Sequence, residues 1–382
     1  MSKWEMVNLA AICDLNMGQS PESSSYNQDG DGIPFYQGNA DFGELNPQTR
    51  FFCNKPTKIA KKDDVLLSVR APIGALNIAT ETCCIGRGLA ALTAKRNLTD
   101  TKFLYYLLKR NNAELNQKGT GSTFKAINKQ NLSELLCPHL PLENQKQIAH
   151  TLDTAAELLA MRKKQHEELD NLIKSTFYNM FGDPVANEKG WDVKQLSAYC
   201  SVNPRKSEIE YFEDNFPVSF IAMQSISANG DIDTRQIRDY KEVKTGFTYF
   251  YENDVLFAKI TPCMENGKGA IARSLRNNIG FGSTEFHVLR PIKGVSNSEW
   301  LYRLTTLPIF RENAEKNMSG SAGQKRVPTS FFNKFKVSLP PFNLQTQFAS
   351  IVTKIEEQKV LVKKAIGETQ YLFDSLMSEY FE

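Results

Sequence analysis

HLPLENQ at residues 139–145 and SLPPFNLQ at 338–345 each open a run of about forty residues in which the apolar pattern becomes strictly helical. In the first run Ile148, Leu152, Ala155, Leu159, Arg162, His166, Leu169, Ile173, Thr176 and Met180 alternate in steps of four and three. Two hundred residues later Phe348, Val352, Ile355, Lys359, Val362, Ile366, Thr369, Phe373, Leu376 and Tyr380 repeat the register. That spacing makes the seam of a coiled coil. At 1.5 Å of rise per residue each helix runs roughly 60 Å, longer than a small domain is wide. The alternative is that each helix packs only on its own globular half, but the length favours pairing of the two helices. The first helix delivers the chain to the second half of the protein and the second helix starts there, so the pair is expected to be antiparallel.

Outward from these helices the chain is written twice, as self-similarity at long period makes visible. WEMVNL (4–9) recurs as WDVKQL (191–196), and DVLL (64–67) as DVLF (254–257), each DVL run followed by a proline, Pro72 or Pro262. FLYYLL (103–108) answers WLYRLT (300–305) as a helix start, and GTGSTFK (119–125) answers SGSAGQK (319–325). These runs read as strands, turns and short helices in the same order. The expected division is two α/β domains at 1–142 and 183–342, with helices at 143–182 and 343–382. The fold class is therefore α+β: two similar α/β domains separated by an antiparallel two-helix coiled coil, related by an internal pseudo-twofold repeat.

Composition bounds the class. The chain has 382 residues, 41% hydrophobic and 23% charged, which suits a folded protein of two domains. It has no run of about eighteen apolar residues and no signal-peptide core near Met1, so a soluble cytoplasmic protein with no membrane contact is expected. Seven cysteines without a CxxC pair read as reduced, mostly buried thiols. The net charge is only +3. The helical segments are slightly acidic, with five basic against six acidic residues in 143–182 and four against six in 343–382. The positive charge therefore sits in the domains.

A search for chemistry finds no site. Asn266-Gly267-Lys268-Gly269 lacks the first glycine and the hydroxyl residue of a phosphate-binding loop. Leu339-Pro340-Pro341-Phe342 has leucine where amino-methyltransferases need a polar acceptor, and it reads instead as a prolyl turn entering a helix. Glu242-Val243-Lys244, with Asp231 or Asp233 upstream, is too short a match to mark a nuclease. His139, His150, His166 and His287 show no metal spacing. Neither a catalytic residue nor a metal site is expected.

DNA binding has more support. No acidic residue lies between Leu115 and Ser133, where Lys118, Lys125 and Lys129 flank the Gly-Thr-Gly-Ser-Thr run. None lies between Lys316 and Ile355, which hold Lys325, Arg326, Lys334, Lys336 and Lys354. Small residues let backbone N–H groups approach a phosphate that nearby lysines neutralise. A solvated turn is the alternative for either loop alone. Base reading needs amides and cations elsewhere, for which Gln37, Asn39, Arg70, Arg87, Gln224, Lys259, Lys268, Ser283 and Thr284 are the candidates. The halves differ here, GRGLAAL against GSTEFHV, so each half is expected to read something different.

GSTFKAI (121–127) with PLENQKQIA (141–149), and GSAGQKRVP (320–328) with PPFNLQTQFA (340–349), resemble the specificity subunits of type I restriction-modification enzymes, and the similarity covers the whole chain. The resemblance implies two target-recognition domains, each reading one half of a split, asymmetric site on double-stranded DNA. It also implies conserved helices that dock two methyltransferase subunits, with translocating restriction subunits joining that complex. S-adenosylmethionine, ATP and magnesium then belong to the partners, and this chain holds no cofactor. A non-catalytic DNA-binding coiled-coil adaptor of another defence or modification complex is the alternative. Ala322-Gly323-Gln324 stands where the first loop has Ser122-Thr123-Phe124, so DNA contacts do not transfer between halves.

Overall fold

A computed structural model describes residues 4–119, 125–208, 212–321 and 323–381. The chain divides into two compact units, one of residues 1–164 with 364–382 and the other of residues 165–363. Each unit is α+β and contains one sheet domain with part of both long helices.

In the first unit, strand Glu5–Asn8 pairs antiparallel with Leu136–His139. This ties the WEMVNL start to the segment that enters the long helix. A four-stranded sheet follows in the order Cys13–Met17, Leu89–Ala94, Val65–Ser68, Leu76–Ile78. A five-stranded sheet holds Tyr26–Asn27, Phe51–Cys53, Ile33–Tyr36, Cys83–Ile85 and Ile59–Ala60 in that order, with Ile33–Tyr36 parallel to Cys83–Ile85. The DVLL run becomes a central strand because Val65, Leu66 and Leu67 are covered on both faces, all at 0% exposure, as a continuous apolar run requires.

The second unit repeats the plan. Asp192–Gln195 pairs with Lys336–Leu339, and one sheet runs Cys200–Val202, Phe286–Pro291, Val255–Ala258, Gly269–Ile271. The other runs Ile237–Asp239, Pro217–Ile221, Ile279–Gly282, Thr248–Tyr251, again with one parallel pair. Helices Thr101–Arg110 and Ser298–Thr306 start at equivalent places. Asp100 and Asn297 cap them, accepting from the backbone N–H groups of Lys102 and Phe103 and of Glu299. Such a cap satisfies helix-start donors that have no partner within the helix.

The long helices are Leu142–Phe181 and Phe342–Phe381. Pro141 and Pro341 stand just ahead of them and accept from the N–H groups of Gln145 and Gln345. Both glutamines are buried and do the same work. The Gln145 amide donates to the Leu98 and Leu140 carbonyls, and its oxygen accepts from Asp100 N–H. Gln345 donates to Val295 and Pro340 and accepts from Asn297 N–H. Each side chain thus locks the long helix to the start of the short one, a role the sequence analysis did not assign.

The expected seam is largely buried. Ile148, Leu152 and Leu159 with Phe373 in the first unit, and Ile173, Phe348, Val352, Ile355 and Val362 in the second, are all under 10% exposed. Leu169, Ile366 and Leu376 are half-buried. Within the first unit Arg162 donates to the Ala365 carbonyl and the Thr369 hydroxyl, while Tyr106 bridges Asp153 and the Phe373 ring. Within the second, Lys359 Nζ lies 2.6 Å from Asp170, and the Phe348 ring packs on Phe177 and Phe181. Helix direction is antiparallel in both units. Most seam residues also belong to the sheet-domain cores, so helix pairing and helix-on-domain packing coexist. The stripe departs from expectation at the helix ends. Phe177, Phe181 and Met377 are buried, whereas Thr176, Met180, Leu376 and Tyr380 are half-buried. Successive steps of four overshoot a full turn, so the buried face drifts from the seam toward the adjoining core. No helix among the described residues is long and apolar enough to cross a membrane.

Candidate nucleic-acid interface

In each unit the segment after the DVL strand is the platform on which distant loops meet. In the first, Ala71 N–H donates to the Lys125 carbonyl and Ile127 N–H to the Val69 carbonyl, while Val69 N–H donates to Gly88. In the second, Thr261 N–H donates to Lys325, Val327 N–H to Lys259, and Lys259 N–H to Glu285. The bonds are the same. Val69, Gly88 and Lys125 therefore correspond to Lys259, Glu285 and Lys325. Ala71-Pro72 and Thr261-Pro262 are both cis.

This geometry brings Arg70, Arg87 and Lys125 onto neighbouring backbones in the first unit, all exposed and free of ion pairs among the described residues. Residues 120–124, the centre of the first glycine-serine loop, and Ala322 in the second lie outside the described residues. Lys118 is half-buried and paired with Glu114 at 2.8 Å. Gln37 is exposed and Asn39 half-buried, on the turn after strand Ile33–Tyr36. The Gly86-Arg87-Gly88 run packs against Gln37 and Gly38. A Cβ on Gly88 would lie 2.5 Å from the Gln37 carbonyl oxygen, so only glycine fits.

In the second unit Lys259, Thr284, Lys325 and Arg326 gather at the equivalent place. Thr284 and Lys325 are exposed, and Lys259 and Ser283 are half-buried. Burial holds the Lys259 ammonium below its ordinary range, against the pull of Glu285. Gln224 is exposed on the turn Met223–Ser225, and Lys268 Nζ donates to the Met223 carbonyl at 3.2 Å, so these two candidates adjoin. Arg326 is not a bare cation. Its Nε and Nη2 donate to the two carboxylate oxygens of Glu285 at 2.9 and 2.8 Å, and Nη1 donates to the Gln324 carbonyl. The hydrogen bonds from Arg326 hold the Glu285 carboxyl below the usual carboxylate range. Sequence reasoning missed Glu285, whose one signal was an acid in a turn otherwise lined with base-reading residue types.

Behind the cluster His287 is buried. Its Nε2 donates to the Val327 carbonyl at 2.7 Å, and Nδ1 faces Asn203 at 3.0 Å. Burial lowers its pKa to about 4, so the ring stays neutral. Six of the seven cysteines are buried and all are free. Burial pushes Cys13, Cys137 and Cys200 up to about 12, which keeps them as thiols. Among the described residues no three acidic, histidine or cysteine side chains are grouped to hold a metal ion.

The family model described as "Type I restriction modification DNA specificity domain" matches residues 1–171 and again 188–368. The chain is 41% identical over 173 residues to the putative type I restriction enzyme MjaX specificity subunit of Methanocaldococcus jannaschii, covering 45% of this chain and 41% of that one. It is 38% identical over 202 residues to the EcoAI specificity subunit of Escherichia coli, covering 51% and 33%. The chain thus matches less than half the length of either relative. The crystal structure of a type I restriction-modification S subunit from M. genitalium superposes with a TM-score of 0.59 at 18% identity, covering 100% of this chain and 96% of that one, and so shares its fold. With the family model matched in both halves, over strands and loops that the two units build alike, the chain belongs to the type I restriction modification DNA specificity family.

Proposed function

We propose that this chain is the sequence-reading subunit of a type I restriction-modification complex, with each unit reading one half of a bipartite, asymmetric site on duplex DNA. The observation that carries the reading is the platform built twice by the same backbone bonds, with Arg70, Arg87 and Lys125 on one copy and Lys259, Thr284, Lys325 and Arg326 on the other. A common frame fixes how a loop cluster meets DNA, and differing side chains change what it reads. Lys125 and Lys325 contact phosphates, and the arginines, the amides and the base-reading candidates Lys259 and Lys268 contact base edges.

In this reading the chain does no chemistry itself. Two methyltransferase subunits dock on the long helices, restriction subunits join them in the cytoplasm, and S-adenosylmethionine, ATP and magnesium are bound by those partners. The test is to express the chain with its methyltransferase partner and map methylated bases across the host genome. A split motif is expected, one half of which changes when residues 1–142 are replaced from another such subunit and the other when 183–342 are replaced. A contiguous motif, or methylation by the purified chain alone, would overturn the proposal.

A further inference from the structure

We propose that Arg326 reads a guanine in the half-site recognised by the second unit, and that Glu285 is the positioning residue that aims it. The inference rests on the DNA-reading role proposed above. A guanidinium has five N–H donors. Among the described residues three are used, two on Glu285 and one on Gln324, and the remaining two sit one on each terminal nitrogen. Two adjacent donors on the fork's terminal nitrogens match the O6 and N7 acceptors of guanine in the major groove.

Both ends of the pair are anchored. Arg326 exchanges backbone hydrogen bonds with Ser319, N–H to carbonyl at 2.8 Å and back at 3.0 Å, and bridges Ile260. Glu285 is held by its carbonyl to Lys259 N–H at 2.9 Å and by its own N–H to the Ser283 hydroxyl at 3.2 Å. A planar fork fixed on one edge loses little freedom when its other edge binds. The ion pair also argues against a phosphate role for Arg326, because a carboxylate beside the guanidinium cancels its charge and repels a phosphate. A neutral acceptor edge requires direction and not net charge. Lys325, exposed and unpaired among the described residues, is the cation next door for the backbone. In the first unit the corresponding positions are Gly88 and Ala126, so this reader exists in one half only.

The test uses the full chain with its methyltransferase partner, reading methylated motifs genome-wide and melting the assembled complex. Arg326→Ala should relax one guanine of one half-site by on the order of 10–100-fold in preference, with the other half-site unchanged. Arg326→Lys keeps the charge without the fork and should relax the same base. Glu285→Gln should relax that base less than Arg326→Ala does. Restored specificity in Arg326→Lys would overturn the inference, as would uniformly weaker methylation at the unchanged motif. An unchanged motif with only a lower melting temperature marks a structural clamp and also overturns it. If Arg326→Ala fails to assemble, the other two variants decide. Absence of any split motif in the wild-type complex would instead refute the proposed function.

Discussion

The two loop clusters stand on one frame and differ in how their charge is held. In the first unit Arg70, Arg87 and Lys125 are exposed with no ion pair among the described residues, and Arg87 sits in the turn Gly86-Arg87-Gly88 packed against Gln37. In the second, the same turn is Ser283-Thr284-Glu285, and Glu285 clasps Arg326 through two hydrogen bonds. The first cannot copy the second, because any side chain at Gly88 would strike the Gln37 carbonyl oxygen. Equivalent backbone bonds therefore do not make equivalent surfaces. What a unit can read depends on where its turns leave room for a Cβ.

The largest effect is expected where the units are alike. Gln145→Leu or Gln345→Leu leaves one N–H and two carbonyls without their partner, one carbonyl buried and the other two groups part-buried. At about 1–3 kcal/mol for a buried unsatisfied group and about 1 kcal/mol for each part-buried one, either change should cost about 3–5 kcal/mol in denaturant unfolding, and by similar amounts. A large inequality would break the claim that one frame is built twice.

Next in size is a difference in pH dependence. His287 is buried with a pKa of about 4, and the first unit has Ala90 at the corresponding strand position. Between pH 6.5 and 4 the unfolded chain binds a proton that the folded ring refuses, so stability rises with pH across that window and is lost as pH falls. The full difference is on the order of 3 kcal/mol. Melting from pH 7 to 4.5 should show the loss, and His287→Gln should flatten it. An identical slope in that variant would remove His287 as the cause.

Arg70→Ala and Arg87→Ala sharpen the contrast at the level of bases. Each should relax a position in the half-site that Arg326→Ala leaves intact, by about 1–3 kcal/mol, seen as altered methylated motifs. Relaxation of the same half-site by all three would place both clusters on one set of bases. The smallest effect belongs to the phosphate contacts. Lys125→Ala and Lys325→Ala should weaken cognate and unrelated DNA alike and lower the salt slope by about one unit each, measured by binding titrations at several salt concentrations. A change of motif in either would make it a base reader.

Much of the frame was legible in the chain itself. The 4-3 spacing of Ile148 to Ile173 and of Phe348 to Phe373 fixed two long helices, because helical periodicity is a local property. The paired WEMVNL and WDVKQL, and DVLL and DVLF, became equivalent strands because alternation and apolar runs dictate burial wherever they occur. The lysines near the glycine-serine loops were visible for the same reason: charge and small size need no partner to be read. Tertiary structure alone decided the rest. Gln145 and Gln345 looked like polar helix starts, and only the approach of helices Thr101–Arg110 and Ser298–Thr306 made them buried clasps. Phe177, Phe181 and Met377 replaced the expected positions at the helix ends because the sheet-domain cores press on the helices there alongside the partner helix. Glu285 and Arg326 lie 41 residues apart and meet because both segments dock beside Lys259 and Ile260. Their pairing depends on strand register across a sheet, a non-local quantity that no window of sequence contains.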